Sequence, residues 1–330
     1  MNLISKDDLI FIAGASGMVG SAIKKELNNR GYNKLLIPTR EELNLLFANS
    51  VEEWFKKNKP NIVIIAAAKV GGIYANNNFP ADFILENIKI QTNIIESSWK
   101  NNVKRLLFLG SSCIYPKYSP QPIKEEYLLS KELEITNEPY AIAKIAGLKL
   151  CAALKKQYQF DALSLMPTNL YGPGDNYHEN NSHVLPALIR KFHNAKINNN
   201  PEVNCWGSGS AKREFLHVSD LAKATIFVLE KISSDNKFLY DEKSNYLGYL
   251  NIGTGADISI KELAEKISKE FKYQGKINWD TSKPDGTPRK LLDVSKINTL
   301  GWKSQIPIDK GIADAIESFL NESRNNLLRF

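Results

Sequence analysis

Cysteine is scarce in this chain of 330 residues, which holds only Cys113, Cys151 and Cys205. An odd and sparse set does not form a disulfide framework and is typical of a protein kept reduced in the cytoplasm. Long apolar runs are also missing, because no run approaches the roughly 18 residues that a membrane-spanning helix needs. The stretch from Met1 to Asp8 lacks the basic-then-apolar pattern of a secretory signal. We therefore expect a cytoplasmic protein with no membrane partner.

Dense basic tracts are absent, although the chain carries a formal net charge of +7 and a sequence pI of about 9.0. Lysine and arginine are spread among acidic residues, without the interleaved aromatic residues of a nucleic-acid-binding surface. A surplus of this kind is most often a solvated surface, and it otherwise suits an anionic substrate. Nucleic acid is therefore not expected as a partner.

Short apolar runs alternate with amphipathic stretches in the first half of the chain. The pattern predicts strands at 9–13, 34–38, 61–67, 105–109 and 162–166, and helices at 21–29, 80–101 and 140–157. After residue 167 it predicts a loop at 169–183 and helices at 184–194, 221–232, 260–271 and 309–321. Continuous apolar strands separated by helices favour a parallel sheet covered on both faces. We predict an α/β fold, with a doubly wound Rossmann-type parallel sheet and a smaller, mixed α/β lobe.

Three glycines follow the first predicted strand and open a helix, at Gly14, Gly17 and Gly20. Glycines allow a tight turn and a close approach to a pyrophosphate, and the helix N-terminus supplies unpaired N–H groups. The spacing is one residue longer than that of the usual dinucleotide fingerprint, and a plain strand-to-helix turn is the alternative. The position between a strand and a helix favours a dinucleotide site.

The end of the second predicted strand bears on the choice between NAD and NADP. An acidic residue there would hold a ribose hydroxyl, whereas this chain has Arg40, followed by Glu41. A guanidinium suits a 2′-phosphate, so we predict NADPH as the cofactor. The alternative is a surface arginine that pairs with Glu41.

A phenol and an ammonium at i and i+4, Tyr140 and Lys144, share one face of a predicted helix. Ser111 lies just past the fourth strand, at the edge of the sheet where ligands bind in such folds. Ketone reduction needs a proton at oxygen, which Tyr140 could supply, and Lys144 would favour the phenolate. Ser111 could hold the substrate oxygen. A structural tyrosine beside a solvated lysine is the alternative interpretation of this pair.

Taken together, these motifs resemble the extended short-chain dehydrogenase/reductase family. Further segments carry the likeness from about residue 9 to about residue 320, at 66–72, 110–117, 137–147, 166–173, 206–209, 213–217 and 283–290. Several of them, notably the last, are typical of the branch of that family that makes GDP-L-fucose. The resemblance implies a two-step, NADPH-dependent conversion of GDP-4-keto-6-deoxy-D-mannose to GDP-L-fucose, by 3,5-epimerisation and then 4-keto reduction.

The resemblance also implies roles for individual residues. Cys113 and His183 would exchange the protons during epimerisation, and Ser111, Tyr140 and Lys144 would serve the reduction. The implied substrate contacts are Lys191, Trp206, Arg213 and Asp285. The implied NADP(H) contacts are Gly14, Ala15, Ser16, Gly17, Met18, Val19, Gly20, Arg40, Lys69, Leu109, Gly110, Ser111, Ser112, Lys144, Pro167, Thr168, Asn169, Leu170 and His183. Neither Cys151 nor Cys205 matches such a role, and no metal site is expected.

The resemblance implies a homodimer that acts on a GDP-sugar. The predicted NADP-binding domain covers 1–170, with a later segment at about 215–258 returning to it. The predicted substrate-binding lobe covers 171–214 and 259–330. Two other functions stay open on the residues alone. One is another NAD(P)-dependent nucleotide-sugar epimerase or reductase, and the other is a non-catalytic Rossmann module that senses NADP. Retention of Ser111, Tyr140 and Lys144 disfavours the latter.

Overall fold

The computed structural model describes residues 2–179, 181–283 and 285–329. Its strands are β1 (Ile10–Ala13), β2 (Leu35–Leu36), β3 (Ile62–Ile65), β4 (Arg105–Leu109), β5 (Ala162–Pro167), β6 (Asn169–Tyr171), β7 (Glu202–Trp206), β8 (Lys212–His217), β9 (Tyr249–Ile252), β10 (Asp257–Ser259), β11 (Lys276–Asp280) and β12 (Arg289–Lys290). Its helices are α1 (Met18–Asn29), α2 (Ala48–Asn58), α3 (Ile73–Asn78), α4 (Pro80–Lys100), α5 (Glu138–Tyr158), α6 (Val184–Ile197), α7 (Val218–Lys231), α8 (Ile260–Glu270), α9 (Ser295–Thr299) and α10 (Ile308–Arg324).

The main sheet has six strands in the order β2-β1-β3-β4-β5-β9, and every neighbouring pair is parallel. Continuous apolar runs form these strands because helices cover them, α1 packing with α7 and α4 with α5. All four residues of β3 are fully buried. The structure confirms the predicted parallel α/β sheet.

A smaller group of strands follows the main sheet along the chain. In it β8 lies between β10 and β12 and also pairs with β6, while β7 pairs with β11. This region has its own hydrophobic cluster, whose members include Phe192, Phe215, Phe271 and Phe319. Leu292, Ile297 and Trp302 pack instead in the cluster of the main sheet. The mixed second part of the fold is confirmed, whereas the domain boundaries stay a prediction.

Several local features differ from the sequence prediction. The predicted loop contains the short strand β6 at Asn169–Tyr171, which pairs in parallel with Phe215, Leu216 and His217 of β8. A glycine- and asparagine-rich segment carries no local signal for a partner so far along the chain. The sequence analysis also assigns no element to α2, α3, α9 and the strands from β7 to β12. Within the described part of the chain, we find no helix that is both long and apolar enough to cross a membrane.

Candidate active site

The loops that follow β1 and β3 meet where the strand order reverses, which is the usual ligand crevice of such sheets. Gly14 has a φ of 83°, and a Cβ there would lie 2.8 Å from the backbone of Ala67. A Cβ on Gly20 would overlap the carbonyl oxygen of Gly14. Helix α1 begins at Met18 with no side-chain cap from Gly17, so no capping side chain competes for its first N–H groups. This arrangement fits a dinucleotide pyrophosphate.

Arg40 lies beyond β2 with an exposed side chain. Among the residues that the structure describes, no carboxylate pairs with it, Glu41 included. The alternative of a structural surface pair is therefore not supported. A free guanidinium at this position can bind a phosphate through paired hydrogen bonds.

Three side chains of the predicted reduction site come together at the carboxyl end of β4. Lys144 is 3% exposed, and its Nζ donates a hydrogen bond of 2.9 Å to the carbonyl oxygen of Leu109, the last residue of β4. The same Nζ lies 5.9 Å from the ring centroid of Tyr140. Ser111 follows that strand end by two residues and hydrogen-bonds Tyr140 through its side chain. One helix face and one strand end thus build the whole group.

Burial shifts the pKa of both titrating groups. It lowers the pKa of Lys144 to about 7, because the charged ammonium loses its hydration. Burial raises the pKa of Tyr140 above its usual value, Cys113 raises it further, and the bond with Ser111 lowers it. These surroundings keep Tyr140 protonated at neutral pH, which is the state that can donate a proton as a ketone is reduced. The effect of Lys144 on the phenolate, expected together with an oxidised nicotinamide, stays a prediction.

Cys113 lies at the edge of the same cluster, where it packs against the group formed by Ala75, Phe83 and Tyr140. Its backbone N–H donates to the Ser111 side chain at 3.2 Å, which fixes the short turn after β4. On its other side, Nζ of Lys290 lies 3.6 Å from the Cys113 sulfur. The thiol is half-buried, whereas Cys151 and Cys205 are fully buried.

His183 ends the loop before α6 and has a solvent-accessible side chain in the cleft. Desolvation in the cleft lowers its pKa, and the charge of Lys290 lowers it further. Arg213 is also near the thiol, because the charge of Cys113 raises the pKa of Arg213 while burial, the larger effect, lowers it. The structure therefore brings Cys113, His183 and Arg213 around Lys290.

The predicted substrate contacts are Lys191, Trp206, Arg213 and Asp285. The indole of Trp206 is 53% exposed, with Nζ of Lys191 5.4 Å and Nζ of Lys283 5.9 Å from the ring. The carboxylate of Asp285 accepts hydrogen bonds from the backbone N–H of Ser208, at 2.7 Å, and from its hydroxyl. Arg213 donates to the carbonyl oxygen of Asp285 at 3.4 Å. An accessible aromatic face beside several cations suits an anionic, ring-bearing ligand.

Some predicted cofactor contacts already have protein partners. Nζ of Lys69 lies 2.6 Å from Glu86 and 3.0 Å from Asp82. The side chains of Thr168 and Asn169 donate to the carbonyl oxygen of Glu214, which links the end of β5 to β8. Their assignment as cofactor contacts stays a prediction, as does that of the other residues along the glycine loop and at the ends of β4 and β5.

Comparison with known proteins places this fold and site in a family. The model of the NAD dependent epimerase/dehydratase family matches residues 10–240. The chain belongs to that family. It is 52% identical to the GDP-L-fucose synthase of Escherichia coli K12, over 96% of this chain and 98% of that protein. It is also 52% identical to a putative GDP-L-fucose synthase of Arabidopsis thaliana, over 96% of this chain and 93% of that protein.

A solved member of similar shape is a GDP-mannoheptose C4 reductase from Campylobacter jejuni with NADP bound. It has a TM-score of 0.86 and 38% identity, over 96% of this chain and 99% of that one.

In this NAD dependent epimerase/dehydratase chain, sequence reasoning missed one residue at the centre of the site, Lys290. It belongs to the segment 283–290, which carried the resemblance without a role for its last lysine. Only the pairing of β12 with β8 brings it to the thiol.

Proposed function

We propose that this chain converts GDP-4-keto-6-deoxy-D-mannose to GDP-L-fucose in two steps that share one pocket. The observation that carries the proposal is the position of Cys113, between the Ser111–Tyr140 pair on one side and Lys290 on the other. One ketone-bearing sugar can then meet both a reduction site and a proton-exchange site. The likeness to GDP-L-fucose synthases over nearly the whole chain supports this substrate.

The reduction step needs a proton donor at the ketone oxygen. Ser111 and Tyr140 would both hydrogen-bond that oxygen, and the phenol would give up its proton as the alcohol forms. Lys144, when protonated, would stabilise the resulting phenolate, since the carbonyl oxygen of Leu109 holds its Nζ near Tyr140. NADPH, when bound, supplies the hydride for this reduction.

The epimerisation step needs a base and an acid on opposite faces of the sugar. Protons on the carbons that flank the ketone are acidic because their removal gives an enolate. We assign Cys113 as the base and His183 as the acid. The lowered pKa of His183 makes its protonated form a stronger acid and also a scarcer one as the pH rises.

We propose that NADP(H) lies along the glycine loop and that the GDP moiety lies toward the second part of the fold. The cradle of Gly14 and Gly20 supports the first placement. The cation-flanked indole of Trp206 and the half-buried side chain of Arg213 support the second. Arg40→Glu should then abolish a preference for NADPH over NADH, with Lys57→Glu on α2 as a charge-matched control. An unchanged preference would remove Arg40 from the cofactor site.

We also propose a cytoplasmic homodimer. Helices α4 and α5 pack along each other, and Leu85 and Ile142 on them are 53% and 42% exposed, which suits a helical interface. The three unpaired cysteines suit a reducing compartment. Light scattering after size exclusion should give twice the 37.1 kDa of one chain, and Leu85→Glu should give the mass of a single chain.

The decisive experiment supplies the purified protein with NADPH and GDP-4-keto-6-deoxy-D-mannose. We expect NADPH absorbance to fall and GDP-L-fucose to appear by NMR. Cys113→Ser should stop solvent deuterium from entering C3 and C5. If the sugar is reduced without being epimerised, the protein is a reductase only. If NADPH is not oxidised with this substrate, the proposed function is refuted.

A further inference from the structure

Lys290 is close to the candidate base and has no assigned role. Its Nζ is 3.6 Å from the Cys113 sulfur. Within the described part of the chain no carboxylate lies within ion-pair distance of it, whereas its neighbour Arg289 is paired with Asp257 at 2.6 Å. The charge of Lys290 is therefore directed at the thiol and is not neutralised by an acidic side chain.

Strand register fixes this position. In the parallel pairing of β12 with β8, Lys290 is opposite Arg213 and Arg289 is opposite Lys212. The backbone N–H of Leu292, two residues on, donates to the fully buried carboxylate of Glu214 at 3.0 Å. Because both ends of this short segment are anchored, the backbone of Lys290 is fixed in a place from which its side chain reaches the thiol.

The groups around the thiol come from several elements. Tyr140 of α5 is neutral at physiological pH, since burial raises its pKa. Arg213 of β8 is the second cation, and His183 is near enough to Lys290 for the lysine charge to lower the pKa of the imidazole. The recess that contains Cys113 is also lined by Lys117, Glu134 and Arg289. Of these, Lys290 is the one whose charged atom lies in contact with the sulfur.

We propose that Lys290 is the positioning residue that stabilises the thiolate of Cys113 and thereby makes this residue competent as the base of the epimerisation. The proposal rests on the proposed function for its sugar substrate, although the ionisation itself needs no substrate. A free thiol ionises with a pKa of about 8.5, so at neutral pH an unassisted cysteine is mostly protonated. An ammonium in contact favours the thiolate.

The proton balance of the step is simple. The thiolate takes the proton from a carbon next to the ketone, and the electron pair of that C–H bond moves into the enolate. The enolate carbon then forms a new C–H bond with a proton from protonated His183. Cys113 is left as a thiol and His183 as a neutral imidazole, and both return to their starting states by exchange with water. Lys290 keeps its own protons throughout.

Alkylation of Cys113 by iodoacetamide tests the proposal on the full chain without any sugar. Its rate is followed against pH by mass spectrometry of the peptide that contains Cys113, in the wild type, Lys290→Met and Lys290→Arg. We expect the midpoint of Lys290→Met to rise by about one pH unit, which slows labelling by about tenfold at pH values below both midpoints. Lys290→Arg should keep a midpoint near that of the wild type.

Cys151 and Cys205 are each 1% exposed and serve as internal controls for folding, because they should stay unlabelled in every variant. A midpoint that is unchanged in Lys290→Met, with both controls protected, overturns the proposal. A shift in Arg213→Met that exceeds the shift in Lys290→Met also overturns it and assigns the role to Arg213. In the substrate assay, Lys290→Met should lower kcat for deuterium exchange at C3 and C5, and Lys290→Arg should restore it. Failure of the sugar to react with the wild type would refute the proposed function and leave the alkylation result intact.

Discussion

The proposed cofactor side of the cleft and its proposed sugar side are built in different ways. On the cofactor side, Gly14 and Gly20 belong to one turn, and Tyr140 and Lys144 belong to one face of α5. On the sugar side, Cys113 meets Lys290, which is 177 residues further along the chain. The first set is positioned by local backbone geometry and the second by the register of β12 on β8. Local geometry leaves a motif in the sequence, whereas strand register between distant segments leaves none.

The strongest test of this comparison removes a functional group from one side and measures the reaction step assigned to the other. Tyr140→Phe deletes the proton donor of the reduction and keeps the ring that packs against Phe83. We expect NADPH oxidation with the 4-keto sugar to fall by about 10³-fold, as for other general acids. Deuterium should still enter C3 and C5 from solvent, because Cys113 and His183 are untouched.

Absorbance at the NADPH band and mass spectrometry of the recovered sugar measure the two outcomes separately. Tyr158→Phe is the matched control, since that tyrosine lies at the end of the same helix and is 49% exposed. If deuterium exchange stops together with reduction in Tyr140→Phe, the two sides of the site are not separable and the comparison fails.

The same contrast explains what the sequence could predict. The parallel sheet, the glycine loop and the group of Ser111, Tyr140 and Lys144 follow from apolar runs, turn residues and helix spacing. The roles of Cys113 and His183 came only from family resemblance. Strand β6 and the contact of Lys290 with the thiol depend on pairing with β8, so no local pattern revealed them. Burial also raises the pKa of Tyr140, and burial by distant segments cannot be inferred from residue spacing.

The glycine loop offers a second test of local construction. Gly20→Ala places a methyl group onto the carbonyl oxygen of Gly14, so the loop must open or the helix must shift. We expect NADPH binding, measured by calorimetry, to weaken by about 100-fold. Gly31→Ala is the control, because the φ of 79° at Gly31 strains an alanine there while no atom lies within 4 Å of the added carbon. Equal losses in both variants would mean that general destabilisation, and not the cradle, sets the affinity.

The buried ammonium of Lys144 predicts a pH-dependent stability. Its pKa is about 7 in the folded protein and about 10.4 in an unfolded chain. The folded state therefore loses stability as the pH falls from about 10 to about 7, and the loss is constant below that range. Lys144→Met lacks this loss. When the pH falls from about 9 to about 7, the free energy of unfolding of the wild type should drop by about 2 kcal/mol relative to that of the variant.

Urea unfolding of both proteins at the two pH values measures this difference without cofactor. The hydrogen bond to the Leu109 carbonyl is lost in the variant at every pH, so it cancels in the comparison. Lys149→Met, on the same helix, should show no such pH dependence. If the difference in the free energy of unfolding between wild type and Lys144→Met is the same at both pH values, the ammonium is hydrated in the folded protein. Lys144 would then be less buried than its geometry indicates.

The smallest expected effect belongs to the sugar side, where Trp206 is exposed between two lysines. If this ring packs on the nucleotide, Trp206→Ala should raise KM for the GDP-sugar by about tenfold and leave kcat unchanged, since stacking on a base is worth about 1–3 kcal/mol. Tyr158→Ala removes an aromatic ring of comparable exposure and should change neither constant. A fall in kcat with an unchanged KM would place Trp206 in the chemistry and not in binding. That result would mean that the sugar side, which is assembled from distant segments, contributes more residues to the chemical step than Lys290 and its contacts.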